Sequence, residues 1–131
     1  MQSKVDLGAR VLLGIIFLIF GTNGLMMVFT GSGFIPMPPP KPEMAAVMGG
    51  FFGAVYLMPL VKLLQVISAV MLLSGKYVNL AITFLAPIIV NILGIHLFVD
   101  LAGAPMAIFI AILLAILIKN RWSAFRVLVQ K

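Results

Sequence analysis

Residues 7–29 read LGARVLLGIIFLIFGTNGLMMVF, a run in which Arg10 is the only charged side chain. An apolar helix needs about 20 residues to cross the hydrocarbon core of a bilayer, so this run is long enough to span one. It is longer than the core of a signal peptide and lacks a small-x-small cleavage pattern after it. We therefore predict a retained transmembrane helix.

Three similar runs account for most of the remaining chain. They predict spans over residues 54–73, 80–98 and 102–118, after a first span over 7–29. The chain has 131 residues, of which 63% are hydrophobic and 9% charged, and it is too apolar to cover a soluble domain of this size. We predict an all-α polytopic membrane protein, a four-transmembrane-helix bundle that forms a single domain over residues 1–131.

The segment between the first two spans is predicted to carry an extra helix. Residues 30–42 are rich in proline, which fixes φ and has no amide hydrogen, so they are predicted to form an extended outer loop. As one helix, the run from Glu43 to Leu73 would be about 46 Å long, which exceeds the bilayer core. A break at the glycines after Glu43 or at Pro59 is expected, with a short outer helix over residues 43–55.

The basic residues predict the orientation. If the N-terminus is cytoplasmic, all nine lysines and arginines except Lys41 and Lys62 fall on the cytoplasmic side. This positive-inside bias predicts cytoplasmic N- and C-termini, with residues 119–131 as an amphipathic tail at the headgroup layer. It also accounts for the formal net charge of +6 without a nucleic acid partner, for which the sequence carries no motif.

The residue content excludes several chemistries. The chain has no cysteine, so thiol redox chemistry, iron-sulfur ligation and cysteine zinc sites are absent. A single histidine cannot supply a two-histidine haem site within one chain. We predict no catalytic residue and no metal site.

Five polar side chains are expected between the membrane midplane and its outer face. They are Asn23 on span one, Lys62 and Gln65 on span two, and Asn91 and His96 on span three. A lysine facing lipid at mid-helix costs about 2.5–3.5 kcal/mol on insertion scales. We therefore predict that these side chains turn toward one another inside the bundle and form a ligand-binding site.

Spacing predicts which helix faces meet. Gly14, Gly21 and Gly24 lie along one face of span one, where small residues let a neighbouring backbone approach. On span three, a partly polar stripe recurs every four positions from Asn79 to Asn91 and is predicted to face span two.

Alternatives stay open for Lys62 and His96. Three arrangements stay open for Lys62. In the first it extends to Asp100, Glu43 or a lipid phosphate and forms hydrogen bonds to Gln65 and Asn91. In the second it is buried without its charge, and in the third it donates to a ligand oxygen. His96 lies one helical turn before Asp100, so its imidazole either joins that carboxylate to tie down the end of span three or accepts protons near the outer surface.

These residues resemble DoxX-like membrane proteins. Residues 59–98, PLVKLLQVISAVMLLSGKYVNLAITFLAPIIVNILGIHLF, are similar to the middle of that family, with a lysine inside span two, a short basic turn and a third span ending in His-Leu-Phe. The resemblance covers about residues 8–120. Gln65 departs from it, because family members often carry glutamate there.

The resemblance implies a protein of the bacterial cytoplasmic (inner) membrane. DoxX-like relatives are membrane subunits of a thiosulfate:quinone oxidoreductase or partners in redox-stress complexes. By this resemblance the chain is a quinone- or lipophile-binding membrane subunit, either non-catalytic or co-catalytic within a quinone-linked oxidoreductase, with a redox partner subunit or a second copy as its partner. A quinone is the one candidate cofactor. Two other functions stay open: a small-anion or lipid-headgroup carrier, and a structural membrane adaptor without a ligand.

Overall fold

The computed structural model describes residues 3–131, and this part of the chain is built from helices. The helices are α1 (Lys4–Thr30), α2 (Pro42–Gly53), α3 (Leu57–Ser74), α4 (Val78–Phe98), α5 (Ala104–Asn120) and α6 (Trp122–Phe125), and two 3-10 segments cover Leu101–Gly103 and Arg126–Val129. Four of these, α1, α3, α4 and α5 with the 3-10 turn before it, are long and apolar enough to cross a membrane. The predicted four-transmembrane-helix bundle is confirmed, and the chain is a multi-pass membrane protein.

The four long helices form a ring in which α1 packs against α3, α3 against α4, α4 against α5 and α5 against α1. The start of α1, the end of α3, the start of α4 and the end of α5 lie together at what we call the terminal end. The opposite helix ends, with α2, form the α2 end. Residues 31–41, which we call the strap, connect α1 to α2 at that end.

Helices α1 and α3 are antiparallel and very close. A Cβ atom added at Gly14 would lie 2.9 Å from Cγ of Leu73, and one added at Gly21 would lie 2.9 Å from Cγ2 of Val66. Both distances are shorter than real side chains tolerate, so α3 packs directly on the glycine backbone. The predicted close-packing face of the first span is confirmed.

The half of the bundle nearer to the terminal end is filled by an apolar core. All four long helices contribute buried side chains to it: Ala9, Leu13, Phe17, Ala69, Leu72, Val78, Ala81, Ile82, Leu85, Ile89, Ile110, Leu113, Leu114 and Leu117. This half is therefore closed by side chains, and any internal site has to lie in the other half.

Polar contacts join the helices at the terminal end. The carboxylate of Asp6 in α1 receives two hydrogen bonds from the Arg121 guanidinium at the end of α5, one of them 2.9 Å from Nη2 to Oδ2. Asn120 donates to the same carboxylate over 3.4 Å. Arg10 is buried and donates through Nη1 to the backbone oxygen of Leu72, near the C-terminus of α3. These contacts fix the helix ends that the core alone would leave free to fray.

The extra helix before the second span is confirmed as α2, and of the expected places for its break the structure uses Gly53. Helix α2 runs through Gly49 and Gly50 and ends at Gly53, and residues 54–56 form the turn into α3. A glycine costs only about 1 kcal/mol in a helix interior, which continuous hydrogen bonding outweighs. Pro59 lies in the first turn of α3, where its missing amide hydrogen removes no bond.

Candidate functional site

A cavity of about 600 Å³ occupies the half of the bundle nearer to α2. Its sides come from α1, α3, α4 and α5, while α2 and the strap add side chains at the α2 end. Phe17 and Ile110 belong both to the cavity wall and to the apolar core, so the core forms the floor. The volume is within the range of about 300–1,000 Å³ that ligand pockets occupy.

Four of the five predicted site residues line this cavity. They are Lys62 and Gln65 from α3 and Asn91 and His96 from α4, and the rest of the wall is apolar. Asn23 does not line the cavity. An apolar pocket with a few convergent polar groups is the usual form of a small-molecule site.

Lys62 makes its contact within its own helix. Its Nζ donates to Oε1 of Gln65, three residues later, over 3.2 Å, and Gln65 is only 3% exposed. Within residues 3–131 no carboxylate forms an ion pair with Lys62, and no hydrogen bond joins it to Asn91. The structure therefore shows neither an extension of Lys62 to Asp100 or Glu43 nor a hydrogen bond from Lys62 to Asn91.

Helix α1 determines the path of the Lys62 side chain. The methylene groups of Lys62 pass directly over Gly24, where an added Cβ atom would overlap Cδ and Cε. The sequence predicted Gly24 only as a packing residue, and the structure adds that it lies directly beneath the Lys62 stem. The glycine gives the lysine stem room to reach the cavity.

We expect Gly24→Ala to displace the Lys62 stem and to weaken ligand binding about three- to tenfold, because the amine moves away from the cavity. Gly8→Ala is the matched control in the same helix, since a Cβ there meets nothing within 4 Å. That control should be neutral or slightly stabilising. Ligand titration and thermal unfolding of both variants check this, and equal affinities would contradict the proposed path.

His96 contacts backbone, which corrects the predicted imidazole–carboxylate pair. Its Nδ1 lies 3.0 Å from the backbone oxygen of Asp100. The Asp100 carboxylate instead accepts from the amide of Ala102 over 3.2 Å and lies 3.9 Å from Nζ of Lys41. The ring also rests on Gly103, where an added Cβ would overlap it. The histidine does tie down the end of α4, but through the main chain.

Asn91 lines the cavity and has no hydrogen-bond partner among the described residues. Together with Pro87, it brings the half of the α4 stripe that is nearer to the α2 end to the cavity. Asn79 and Thr83 do not line the cavity, and Oγ1 of Thr83 donates to the backbone oxygen of Asn79 over 2.9 Å. Of the predicted stripe, only Pro87 and Asn91 therefore reach the cavity that α3 also lines.

Asn23 holds the strap. It is 4% exposed, and its Oδ1 accepts from the amides of Phe34 and Ile35 over 2.8 and 2.9 Å. A Cβ at Gly33 would overlap the Asn23 side chain, so the strap needs glycine there. Asn23 therefore acts on the cavity indirectly, because the strap that it anchors carries the cavity residue Met37.

We expect Asn23→Leu to release the strap, since two amides lose their acceptor. Hydrogen exchange followed by mass spectrometry should show protection at Phe34 and Ile35 falling at least tenfold, while Asn23→Asp, which keeps an oxygen acceptor, should retain it. Unchanged protection in the leucine variant would show that other contacts hold the strap.

Methionines form a part of the wall that the sequence analysis missed. Of the nine in the chain, five line the cavity: Met37, Met44, Met48, Met58 and Met106. Their only sequence signal is the four-residue spacing of Met44 and Met48, which places both on one face of α2. Methionine side chains are flexible and polarizable, so this wall can adapt to apolar ligands of different shape.

Compared with family models, with curated proteins and with solved structures, the chain has no match. Its class therefore rests on the fold and the site. It is a four-span α-helical membrane protein with an apolar cavity and four polar side chains in one half of the bundle.

Proposed function

We propose that the cavity binds a lipophile with a small polar head, and that the head is a quinone ring or a close analogue. The observation that carries this proposal is the grouping of Lys62, Gln65, Asn91 and His96 in one cavity of about 600 Å³ that is otherwise apolar. The resemblance to DoxX-like proteins, some of which belong to quinone-linked complexes, supports the same ligand class.

The polar groups on α3 favour a head that accepts hydrogen bonds. Oε1 of Gln65 accepts from Lys62, and the NH₂ group of the same amide adds two further donor hydrogens. The Lys62 amine keeps at least one further N–H. A carbonyl oxygen placed beside them would satisfy donors that otherwise have no partner in an apolar cavity, where an unmade hydrogen bond costs about 1–3 kcal/mol.

The protein would act as a membrane subunit in a larger redox complex. Within residues 3–131 no cluster of metal-binding side chains occurs, so the electrons would come from a partner subunit. His96 would exchange protons with the outer side. The concentration of basic residues at the terminal end supports an orientation with both termini cytoplasmic, in the bacterial inner membrane.

A carrier function has less support. A carrier needs access from both sides of the membrane, and the apolar core closes the half of the bundle nearer to the terminal end. Transport would require that core to separate, or a second copy to complete a path. A purely structural adaptor, for its part, has no need of four polar side chains around an internal cavity.

Native mass spectrometry of the detergent-extracted protein tests the proposal. We expect a co-purifying lipophile of quinone mass, and saturable binding of a short-chain quinone to the delipidated protein. A bound phospholipid together with no quinone binding would favour the carrier. The absence of any saturable ligand would leave the adaptor.

A further inference from the structure

The charged groups around the cavity are not balanced. Of the described residues that line it, only Lys62 and His96 can carry a charge, and none is an aspartate or a glutamate. The described side chains that α1, α2, α5 and the strap add to the wall are all apolar. An uncompensated charge in apolar surroundings costs far more than a neutral polar group without a partner. The Lys62 ammonium is therefore the group whose needs a ligand has to meet first.

The acidic residues of the chain lie elsewhere. There are three, Asp6, Glu43 and Asp100. The carboxylate of Asp6 pairs with Arg121 at the terminal end, and that of Asp100 lies 3.9 Å from Nζ of Lys41. Glu43 is exposed in the first turn of α2. None of the three lines the cavity, so the described part of the chain supplies no negative charge there.

The hydrogen bond to Gln65 does not neutralise the amine. Nζ of Lys62 donates to Oε1 of Gln65 over 3.2 Å, and a carboxamide has no net charge. An ammonium has three N–H donors, so two of them have no protein acceptor among residues 3–131. The carboxamide of Asn91 lines the same cavity and carries further N–H donors. An anionic oxygen suits these groups, because hydrogen bonds to a charged acceptor are about twice as strong as neutral ones.

We propose that the site takes a lipophile whose head carries a negatively charged oxygen, and that this oxygen lies against the Lys62 ammonium. This inference rests on the proposed function and adds the charge of the head: the quinone that fits has a ring hydroxyl that is ionised at neutral pH. Such a ligand releases its proton to water and exchanges no electron on binding. A neutral quinone also accepts a hydrogen bond from the amine, but it leaves the charge of the amine uncompensated and binds more weakly.

Two pairs of ligands that differ mainly in charge test the inference. The first pair is 2-hydroxy-3-decyl-1,4-naphthoquinone, which is an anion at neutral pH, and its neutral 2-methoxy ether. A long-chain carboxylate offers the same anionic oxygen without a ring, so the second pair is dodecanoate and dodecanamide. Equilibrium dialysis against the full-length protein in an uncharged detergent measures the dissociation constants, and empty micelles give the partitioning to be subtracted. The hydroxynaphthoquinone also changes colour on ionisation, which reports its charge when it is bound.

We expect each anion to bind at least tenfold more tightly than its neutral partner, and the colour change of the bound hydroxynaphthoquinone to occur at a pH about one unit lower than in empty micelles. In Lys62→Met the affinities within each pair should agree within about twofold, and the shift of the colour change should vanish. Both effects should persist in Lys76→Met and in His96→Phe, which keep the Lys62 amine.

The outcomes separate the inference from the proposed function. Equal affinities within both pairs, with the naphthoquinones bound, would overturn the inference and leave the proposed function standing. A preference that survives in a folded Lys62→Met variant, or that is lost in a folded His96→Phe variant, would also overturn the inference. A preference confined to the carboxylate pair, with neither naphthoquinone bound, would overturn the quinone ring and support the anionic head. Failure of all four ligands to bind would overturn both.

Discussion

The Lys62→Met variant should bind the short-chain quinone at least tenfold more weakly than the wild-type protein while keeping its fold. Methionine has nearly the same length as lysine and matches the other methionines of the wall, so the cavity keeps its shape. The substitution removes the donor for the head and the bond to Oε1 of Gln65. Since an amine inside a membrane is costly, we expect the thermal stability of the variant to equal or exceed that of the wild type.

Lys76→Met is the matched control for this variant. Lys76 is exposed in the turn between α3 and α4, at the end of the bundle opposite to the cavity. It should bind the quinone with wild-type affinity in the same titration. Unchanged binding in Lys62→Met would show that the amine does not contact the ligand, and equal losses in both variants would point to a nonspecific charge effect.

The Asp6→Asn variant should lose about 3–5 kcal/mol of stability, because removing one partner of a buried ion pair leaves the other charge uncompensated. The side chains of Asp6 and Arg121 are only 5% and 18% exposed. Their pair links the first long helix to the last, so its loss should free both helix ends. Reversible unfolding in mixed micelles measures the free energy, and ligand affinity in the folded fraction should change little because the cavity lies at the far end.

Asp100→Asn provides the comparison. Asp100 pairs with Lys41 at 3.9 Å, and the Lys41 side chain is 68% exposed, so this surface pair should contribute no more than about 1 kcal/mol. Asparagine also keeps an oxygen that can accept from the amide of Ala102. Similar losses in the two variants would mean that the Asp6 contacts are no stronger than a surface ion pair.

The sequence was sufficient for the features that depend on periodicity and on the cost of polar groups in lipid. Hydropathy predicted the four spans, and spacing predicted the glycine face of α1 that receives α3. The argument that polar side chains avoid lipid brought Lys62, Gln65, Asn91 and His96 to the same region, and all four line one cavity. Each of these predictions needs only the periodicity of the α-helix and the free energy of transferring a side chain from water into lipid.

The features that depended on tertiary geometry were missed. A spacing of four residues allows His96 to reach either the side chain or the main chain of Asp100, and only the turn after α4 decides between them. Asn23 anchors the strap by binding amides 11 and 12 positions later in the chain. The loop between them is irregular, so its sequence has no periodicity from which such a contact could be predicted. The exposure of Asn79 depends on the rotation of α4 within the ring.

The exposure of Pro87 and Asn91 on α4 has a practical consequence, because both residues also line the cavity. If the cavity opens beside these residues to the flank of the bundle that lipid would cover, an oily ligand arrives sideways without dissolving in water first. Its occupancy then follows the mole fraction of ligand in the bilayer or micelle. At fixed total ligand, adding more lipid or detergent will lower the apparent affinity by simple dilution.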